Sequence, residues 1–249
     1  MEDFLAFAHR LADAARAETL PRFRTGLAAD NKLVGSGFDP VTAADREAER
    51  AMRALIEAEH PDHGIQGEEF PERPAQGPFC WSLDPVDGTR AFICGLPSWT
   101  TLIALLRDGQ PVIGIIDAAP MGERYAADLG GAIAATTSGC TDLGAARFST
   151  TDPFLFSADE HPRVERVRRA AMTARFGLDA YGYAMIAAGH LDLVVESGLK
   201  PHDYNALVPV VRAAGGWIGD WEGGEDFTWG RVVAAATRAL YDEAVALLA

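Results

Sequence analysis

Residues 79–89 read Phe-Cys-Trp-Ser-Leu-Asp-Pro-Val-Asp-Gly-Thr, an apolar run that ends on two carboxylates three residues apart. The FCWSL portion (79–83) is rich enough in β-formers to read as a strand. Pro85 and Gly88 permit a sharp turn at its end. Such a turn lets Asp84 and Asp87 converge on one point, with the Val86 carbonyl pointing the same way. Oxygen ligands of this kind suit a hard divalent cation, and Mg2+ takes a few carboxylates while leaving positions for water and a phosphate oxygen. Gly88 and Thr89 open the next segment and offer backbone N–H groups to an anion, as helix N-termini do. The same hexapeptide also suits an ordinary tight turn, because Asp, Pro and Gly are turn formers.

Further carboxylates flank this segment on both sides. Gly67-Glu68-Glu69 follows a short strand candidate, Gly64-Ile65-Gln66. Asp39-Pro40-Val41-Thr42-Ala43-Ala44-Asp45 supplies two acids around a helix start, and Lys200-Pro201-His202-Asp203 puts Asp203 directly before an apolar helical run. Each has a plainer reading: Asp45 and Asp203 as helix caps, Glu68 and Glu69 as solvated loop acids. His190 and His202 have no second histidine at ligand spacing and read as packed or exposed side chains. The joint occurrence of the acidic segments favours the functional reading.

The periodicity around these segments alternates between helix and strand. Phe4, Phe7, Ala8, Leu11 and Ala15 predict a helix over 3–20 that halts near Pro21. Thr42 caps a second helix with Asp45 in its third position and Ala48, Met52, Leu55 and Ile56 on one face, ending near Pro61. TLIALLR (101–107) and PVIGIID (111–117) read as strands joined by a hairpin at Asp108-Gly109-Gln110. Residues 123–127 and 132–136 continue the antiparallel pattern across Gly130-Gly131. From about 153 the pattern changes to strand (FLFSA, 154–158), helix (162–174), a loop or short helix, strand (LDLVVE, 191–196), helix (203–214), two strands and a last helix to Leu248. The chain therefore reads as α/β in the broad sense (α+β) and as one unit over 1–249. A mixed α+β half, 1–150, carries GEE and DPVDGT, and a layered α/β half, 151–249, carries Asp203.

Lys and Arg total 22 against 36 for Asp and Glu, a net charge of −14 that leaves no basic footprint for a nucleic acid. An acidic surface repels a phosphorylated substrate, so bound cations are expected to neutralise such a site locally. Three cysteines, Cys80, Cys94 and Cys140, with no CxxC spacing argue against a disulfide framework or a thiolate zinc site and suit a reducing cytoplasm. The opening MEDFLAFAHRLADAARAE carries acids throughout and does not read as a signal peptide, and no apolar stretch approaches the ~20 residues that span a bilayer. A soluble protein with no membrane partner is expected.

In order and spacing, these motifs closely resemble the inositol monophosphatase superfamily, whose members carry GEE, DPxDGT and a later Asp ahead of a Gly-Gly-ended helix. Here they are Gly67-Glu68-Glu69, Asp84 to Thr89, and Asp203 ahead of Ala213-Ala214-Gly215-Gly216, spanning nearly the whole chain. The resemblance implies a five-layered αβαβα sandwich, often a homodimer, that uses two or three Mg2+ ions on a small-molecule phosphate ester. It assigns Glu68, Asp84 and the Val86 carbonyl to one cation, and Asp84, Asp87 and Asp203 to a second. Thr89 and Glu68 would orient and deprotonate the attacking water, with Asp45 as a supporting or third-metal acid. Asp87 and the N–H groups of Gly88 and Thr89 would lie at the phosphate, and Lys32 would assist electrostatically.

Finer signatures resemble the histidinol-phosphate phosphatase branch. They are Asp30-Asn31-Lys32 ahead of DPVTAAD, Thr89-Arg90-Ala91-Phe92-Ile93, Asp179-Ala180-Tyr181-Gly182-Tyr183-Ala184, and Glu196 through Asp203. Inositol-type members usually carry Trp immediately before the last metal Asp, where this chain has His202. By this resemblance Asp179 and Glu196 contact the alcohol portion of the ester. Two carboxylates suit the cationic amine of histidinol, and Glu196 can equally accept hydrogen bonds from an inositol hydroxyl. The implied reaction is hydrolysis of L-histidinol phosphate in histidine biosynthesis. Inositol monophosphate, a nucleotide phosphate and a sugar bisphosphate stand as alternative substrates, and a catalytically idle metal-binding module is the alternative of another class.

Overall fold

The computed structural model of the chain describes residues 3–26, 28–31, 40–129, 131 and 133–249. Helix α1 (Phe4–Thr19) starts on Asp3, whose carboxylate accepts the Ala6 N–H at 3.0 Å, and buries Phe7, Ala8, Leu11, Ala12 and Ala15. A 3-10 turn at Leu20–Arg22 ends it around Pro21, as the sequence predicts. Strands β1 (Asp30–Asn31) and β2 (Pro40–Val41) form a small antiparallel pair. Helix α2 (Ala43–Glu59) opens where Thr42 and Asp45 cap each other and packs along α1 through Ala48, Met52 and Ile56.

A first sheet follows in chain order: β3 (Gly64–Gly67), β4 (Phe79–Asp87), β5 (Thr100–Arg107), β6 (Gln110–Ala118) and β7 (Glu123–Asp128). Its β3 runs parallel to β4 and the other pairs are antiparallel. The short helix α3 (Thr89–Ile93) sits between β4 and β5. Alternation decides the two faces. Trp81, Leu83, Ile103, Leu105, Ile113 and Ile115 point at α1 and α2. Leu102, Ala104, Leu106 and Ile116 point the other way.

The second sheet has the order β11-β12-β10-β8-β9, from β8 (Arg147–Thr150), β9 (Thr173–Phe176), β10 (Leu193–Glu196), β11 (Trp217–Gly219) and β12 (Val232–Ala235). Between its strands run α4 (His161–Ala170), α5 (Tyr181–Ala187), α6 (Pro201–Tyr204) and α7 (Leu207–Ala213), and α8 (Arg238–Leu248) closes the chain. Helices α5 and α7 fill the space between the sheets, where Ala184, Ile186, Val210 and Val211 share one apolar core with Leu102 and Ala104 of the first sheet and Val194 and Val232 of the second. Helices α4 and α8 cover the outer face of the second sheet through Val164, Val167, Leu240 and Tyr241. The layers thus run α1/α2, sheet, α5/α7, sheet, α4/α8, which is the αβαβα sandwich that the family resemblance implies. Among the described residues, no helix is long and apolar enough to cross a membrane.

Four local expectations give way. FLFSA is not a strand, because Asp152 draws the chain into a turn: its side chain accepts the Phe154 N–H at 2.9 Å and its carbonyl the Leu155 N–H at 3.1 Å. The strand of that region is β8, just upstream. The helix expected over 162–174 stops at Ala170, where Ala171 turns extended, and Thr173–Phe176 joins the sheet beside β8. Residues 133–136 form no strand; they lead to the second sheet, where Thr137 N–H donates to Ala214 O at 3.0 Å and Thr137 Oγ1 to Ala236 O at 2.8 Å. Gly130 and Ala132 lie outside the described residues. The helix expected over 203–214 is broken into α6 and α7 at Asn205-Ala206. Pro209, four residues on, has no N–H to give the Asn205 carbonyl.

Candidate active site

Strict strand alternation would put Asp84 and Asp87 on opposite faces of the first sheet. Pairing of β4 with β5 runs regularly to Asp84 opposite Leu102 and resumes at Asp87 opposite Thr100. Pro85 and Val86 therefore share one partner, Thr101, in a β-bulge that turns both carboxylates to the same side. Proline suits the bulge because it has no N–H to give the ladder. The Thr101 hydroxyl donates to Pro85 O at 2.8 Å, and Asp84 Oδ1 accepts the Val86 N–H at 3.1 Å, which locks the distortion.

Gly88 follows with φ of 81°, in the left-handed region. A Cβ there would lie 3.1 Å from the Asp179 carboxylate, so both backbone angle and space call for glycine. It caps α3, whose first residue, Thr89, turns its hydroxyl toward Val86 O at 3.0 Å and Asp45 Oδ1 at 3.4 Å. One proton serves one acceptor at a time.

Asp45 and Asp203 do act as caps, and each also lies beside the DPVDGT segment, Asp45 at Thr89 and Asp203 at Asp84 and Asp87. Asp45 Oδ2 accepts the Thr42 N–H at 2.9 Å and the Thr42 hydroxyl at 2.6 Å, while Oδ1 faces Thr89. Asp203 Oδ2 accepts the Lys200 N–H at 2.6 Å, and Oδ1 is 3.5 Å from His202 Nε2. Its helix is docked on the first sheet by Asn205, whose amide donates to the Ser82 hydroxyl of β4 at 3.2 Å. Close to it, the Ala206 carbonyl sits where a Cβ on Gly114 would be, 2.2 Å away. The outcome is that one carboxylate oxygen from each of Asp84, Asp87 and Asp203 lies within 4.8 Å of the other two. Glu68 lies beside them, its N–H donating to Leu83 O at 3.2 Å, next to Asp84 on β4.

The electrostatics follow from burial and like charge. Burial, then Glu68, Asp87 and Asp203, hold the Asp84 carboxyl well above the usual carboxylate range. Asp87 is raised by burial, Asp179 and Asp203, against an opposing Ala180 N–H bond at 2.7 Å. Asp203 is raised by burial, which outweighs the pull of His202. Asp45 is also raised, chiefly by burial. A set of hard oxygen donors held together against mutual repulsion fits a divalent cation such as Mg2+.

A second group of side chains adjoins this cluster. Asp179 faces Gly88 and has φ of 49°; burial raises its carboxyl to about 6, with the Arg90 guanidinium working against the rise. Glu196, at the end of β10, accepts the Thr151 N–H at 2.6 Å and the Thr150 hydroxyl at 3.3 Å, yet burial pushes it up to about 8. Tyr183 on α5 buries a hydroxyl with no hydrogen-bond partner among the described residues, and burial with Glu196 and Asp87 raises its pKa. Lys32 and Asp39 lie outside the described residues. A cavity of about 720 Å³ lined by Ser157, Glu160, Asp220, Trp229 and Arg231 among others shares no residue with either group, so chemistry rather than cavity size marks the site.

Several of these partners carry no sequence signal of their own. Thr100 and Thr101 read as strand β-formers, and Asn205 as a helix residue. Only the positions of Thr100 and Thr101 opposite a Pro-containing acidic strand end could have flagged them. Tyr183 lies within the Asp179–Ala184 motif, but that its hydroxyl lacks a partner among the described residues is a matter of packing between the sheets.

The chain matches the inositol monophosphatase family over residues 1–249. It is 41% identical over 237 residues to the bifunctional phosphatase IMPL2, chloroplastic, of Arabidopsis thaliana, covering 92% of this chain and 67% of that protein. A histidinol-phosphatase of Streptomyces coelicolor is 34% identical, with 99% of this chain and 97% of the relative covered. Among solved structures, an inositol monophosphatase from Zymomonas mobilis matches with a TM-score of 0.88 at 40% identity, covering 99% of this chain and 97% of that one.

Proposed function

The chain belongs to the inositol monophosphatase family and is a phosphoric monoester hydrolase, and from that premise we propose that its substrate is L-histidinol phosphate, hydrolysed with Mg2+ at the carboxylate cluster. The observation that carries the metal reading is the convergence of Asp84, Asp87 and Asp203, from two separate elements, within 4.8 Å. Glu68, Asp84 and the Val86 carbonyl would hold one cation, and Asp84, Asp87 and Asp203 a second. Cations bound there supply charge neutralisation for the phosphate and lower the pKa of the attacking water. The Thr89 hydroxyl, held between Val86 O and Asp45, orients that water, and Glu68 takes its proton. The N–H groups of Gly88 and Thr89, beside Asp87, face the phosphate oxygens. This ligand set would draw on the first sheet and on α6 of the second half, which supports reading the chain as one unit.

For the leaving group, Asp179 and Glu196 form the side of the site that would meet the alcohol. A cationic amine placed there draws the Glu196 carboxyl back to its charged form and pairs with both acids. A second reading, inositol monophosphate, is favoured by one observation: with its pKa near 8, Glu196 can donate to a polyol hydroxyl, and the Tyr183 hydroxyl, close enough to feel the Glu196 charge, has no partner among the described residues. Replacing Asp179 or Glu196 with its amide separates the two. A charge-assisted contact of about 1.5–3 kcal/mol corresponds to a loss of roughly tenfold to over a hundredfold in kcat/KM for histidinol phosphate. p-Nitrophenyl phosphate, which lacks the amine, should change little. Equal loss on both esters would contradict the leaving-group role.

A further inference from the structure

Glu49 lies one helical turn beyond Asp45 on α2 and is fully buried. A carboxylate in such a place is costly unless its oxygens are satisfied. Here Oε1 accepts Arg53 Nε at 2.7 Å and the Phe70 N–H at 3.3 Å, and Oε2 accepts the Glu69 N–H at 2.8 Å. Two consecutive backbone N–H groups thus converge on one carboxylate, the geometry of an anion-binding nest, filled from within the chain. The backbone wraps it so closely that a Cβ on Gly67 would lie 1.9 Å from Oε1. Arg53 closes the arrangement by donating from its other nitrogen to Phe70 O at 3.1 Å.

Glu68 is the residue inside this wrap. Its own N–H is bonded to Leu83 O at 3.2 Å, and the N–H of the next peptide is bonded to Glu49 at 2.8 Å. Both peptide groups flanking its Cα are therefore pinned, one to β4 beside Asp84 and one to α2. Its side chain hydrogen-bonds Asp84 and sits among Asp45, Asp84, Asp87 and Asp203 closely enough to raise each of them. We infer that Glu49 is a positioning residue: by clamping the backbone after Glu68 it fixes the Glu68 carboxylate where it can bind a divalent cation. The inference rests on the assignment of Glu68 as a cation ligand. Each Glu49 oxygen is already bonded within the loop, so its effect on the cation site runs through Glu68.

The test is a double-mutant cycle read by Mg2+ binding rather than turnover. Calorimetric titration of Mg2+ into the metal-free full-length chain gives a dissociation constant for the parent, Glu49→Gln, Glu68→Gln and the double variant. Glu49→Gln should weaken binding roughly tenfold to a hundredfold, the usual effect of removing a group that orients a metal ligand. In the Glu68→Gln background the same substitution should change binding by less than about threefold, because the ligand it positions is gone. Unchanged binding in Glu49→Gln, or equal weakening in both backgrounds, as a purely structural role would give, overturns the inference. Parent-like binding by Glu68→Gln would instead overturn the ligand assignment beneath it. If Glu49→Gln loses cooperative unfolding, Glu49→Asp, which keeps the charge but draws it back by one carbon, enters the same cycle with the same outcomes.

Discussion

Glu196→Gln gives the account a test that needs no substrate. The carboxyl is 7% exposed and holds two hydrogen bonds, yet burial lifts it from the ordinary 4.5 to about 8, with the Asp179 charge adding to the rise. Between those values the folded metal-free chain keeps a proton that the unfolded chain has released. Stability therefore falls as pH rises from about 5 to about 8 and levels off above, where both states have lost the proton. One group contributes a limiting slope of about 1.4 kcal/mol per pH unit, so over about two units the effect is at most about 3 kcal/mol. The amide variant removes the titration while keeping an oxygen for the Thr151 N–H. Measured by thermal unfolding in a chelating buffer, its Tm should gain on the parent by roughly 5–10 °C between about pH 5.5 and about pH 7.5. The difference isolates Glu196 from the other raised carboxyls, which both proteins share. Parallel Tm curves across that range, or a gap that narrows with pH, would refute the reasoning. The same proton bears on catalysis: kcat/KM for a cationic ester should climb toward pH 8 as Glu196 ionises beside the ammonium, a rise p-nitrophenyl phosphate should not share.

Asp84→Asn should lower kcat/KM on the order of a hundredfold or more and weaken Mg2+ binding, because one carboxylate would serve both cations; activity within about tenfold of the parent contradicts that role. Thr89→Ala should depress kcat far more than KM, since on the proposed function its hydroxyl would orient the attacking water while the metal ligands stay in place. An effect confined to KM in steady-state assays would show a binding role instead. Gly88→Ala should cost roughly 1–3 kcal/mol in urea unfolding, from φ of 81° and the nearby Asp179 carboxylate. Unchanged stability would mean that the backbone relaxes there.

Much of the fold was legible because apolar period and caps agreed with the final packing. Phe7, Leu11 and Ala15 do form one buried stripe, and FCWSL and TLIALLR do form strands, β4 and β5. Where the reading slipped, long-range partners decided. Phe154 and Leu155 look like strand residues, but Asp152 bends them into an exposed turn. Thr173–Phe176 becomes a strand because β8 offers an edge that no local pattern reveals. At the site, DPVDGT announced two carboxylates and a turn, yet the bulge that aligns Asp84 with Asp87 depends on Thr100 and Thr101 across the sheet. Asp45 and Asp203 could be read as caps or as site residues, and one oxygen of each bonds the cap position. Glu49 was invisible as sequence, since a Glu on a helix among Arg46, Arg50 and Arg53 reads as a solvated ion pair. Only the closure of residues 67–70 around it gives it a task.

The most direct test of the central claim is phosphate release from L-histidinol phosphate and inositol 1-phosphate, compared side by side with Mg2+ and with chelator. Turnover should require Mg2+, with kcat/KM for histidinol phosphate higher by roughly tenfold or more, the size of one charge-assisted contact. A higher kcat/KM for inositol 1-phosphate would contradict the substrate assignment, and undiminished turnover in chelator would contradict the metal-dependent chemistry itself.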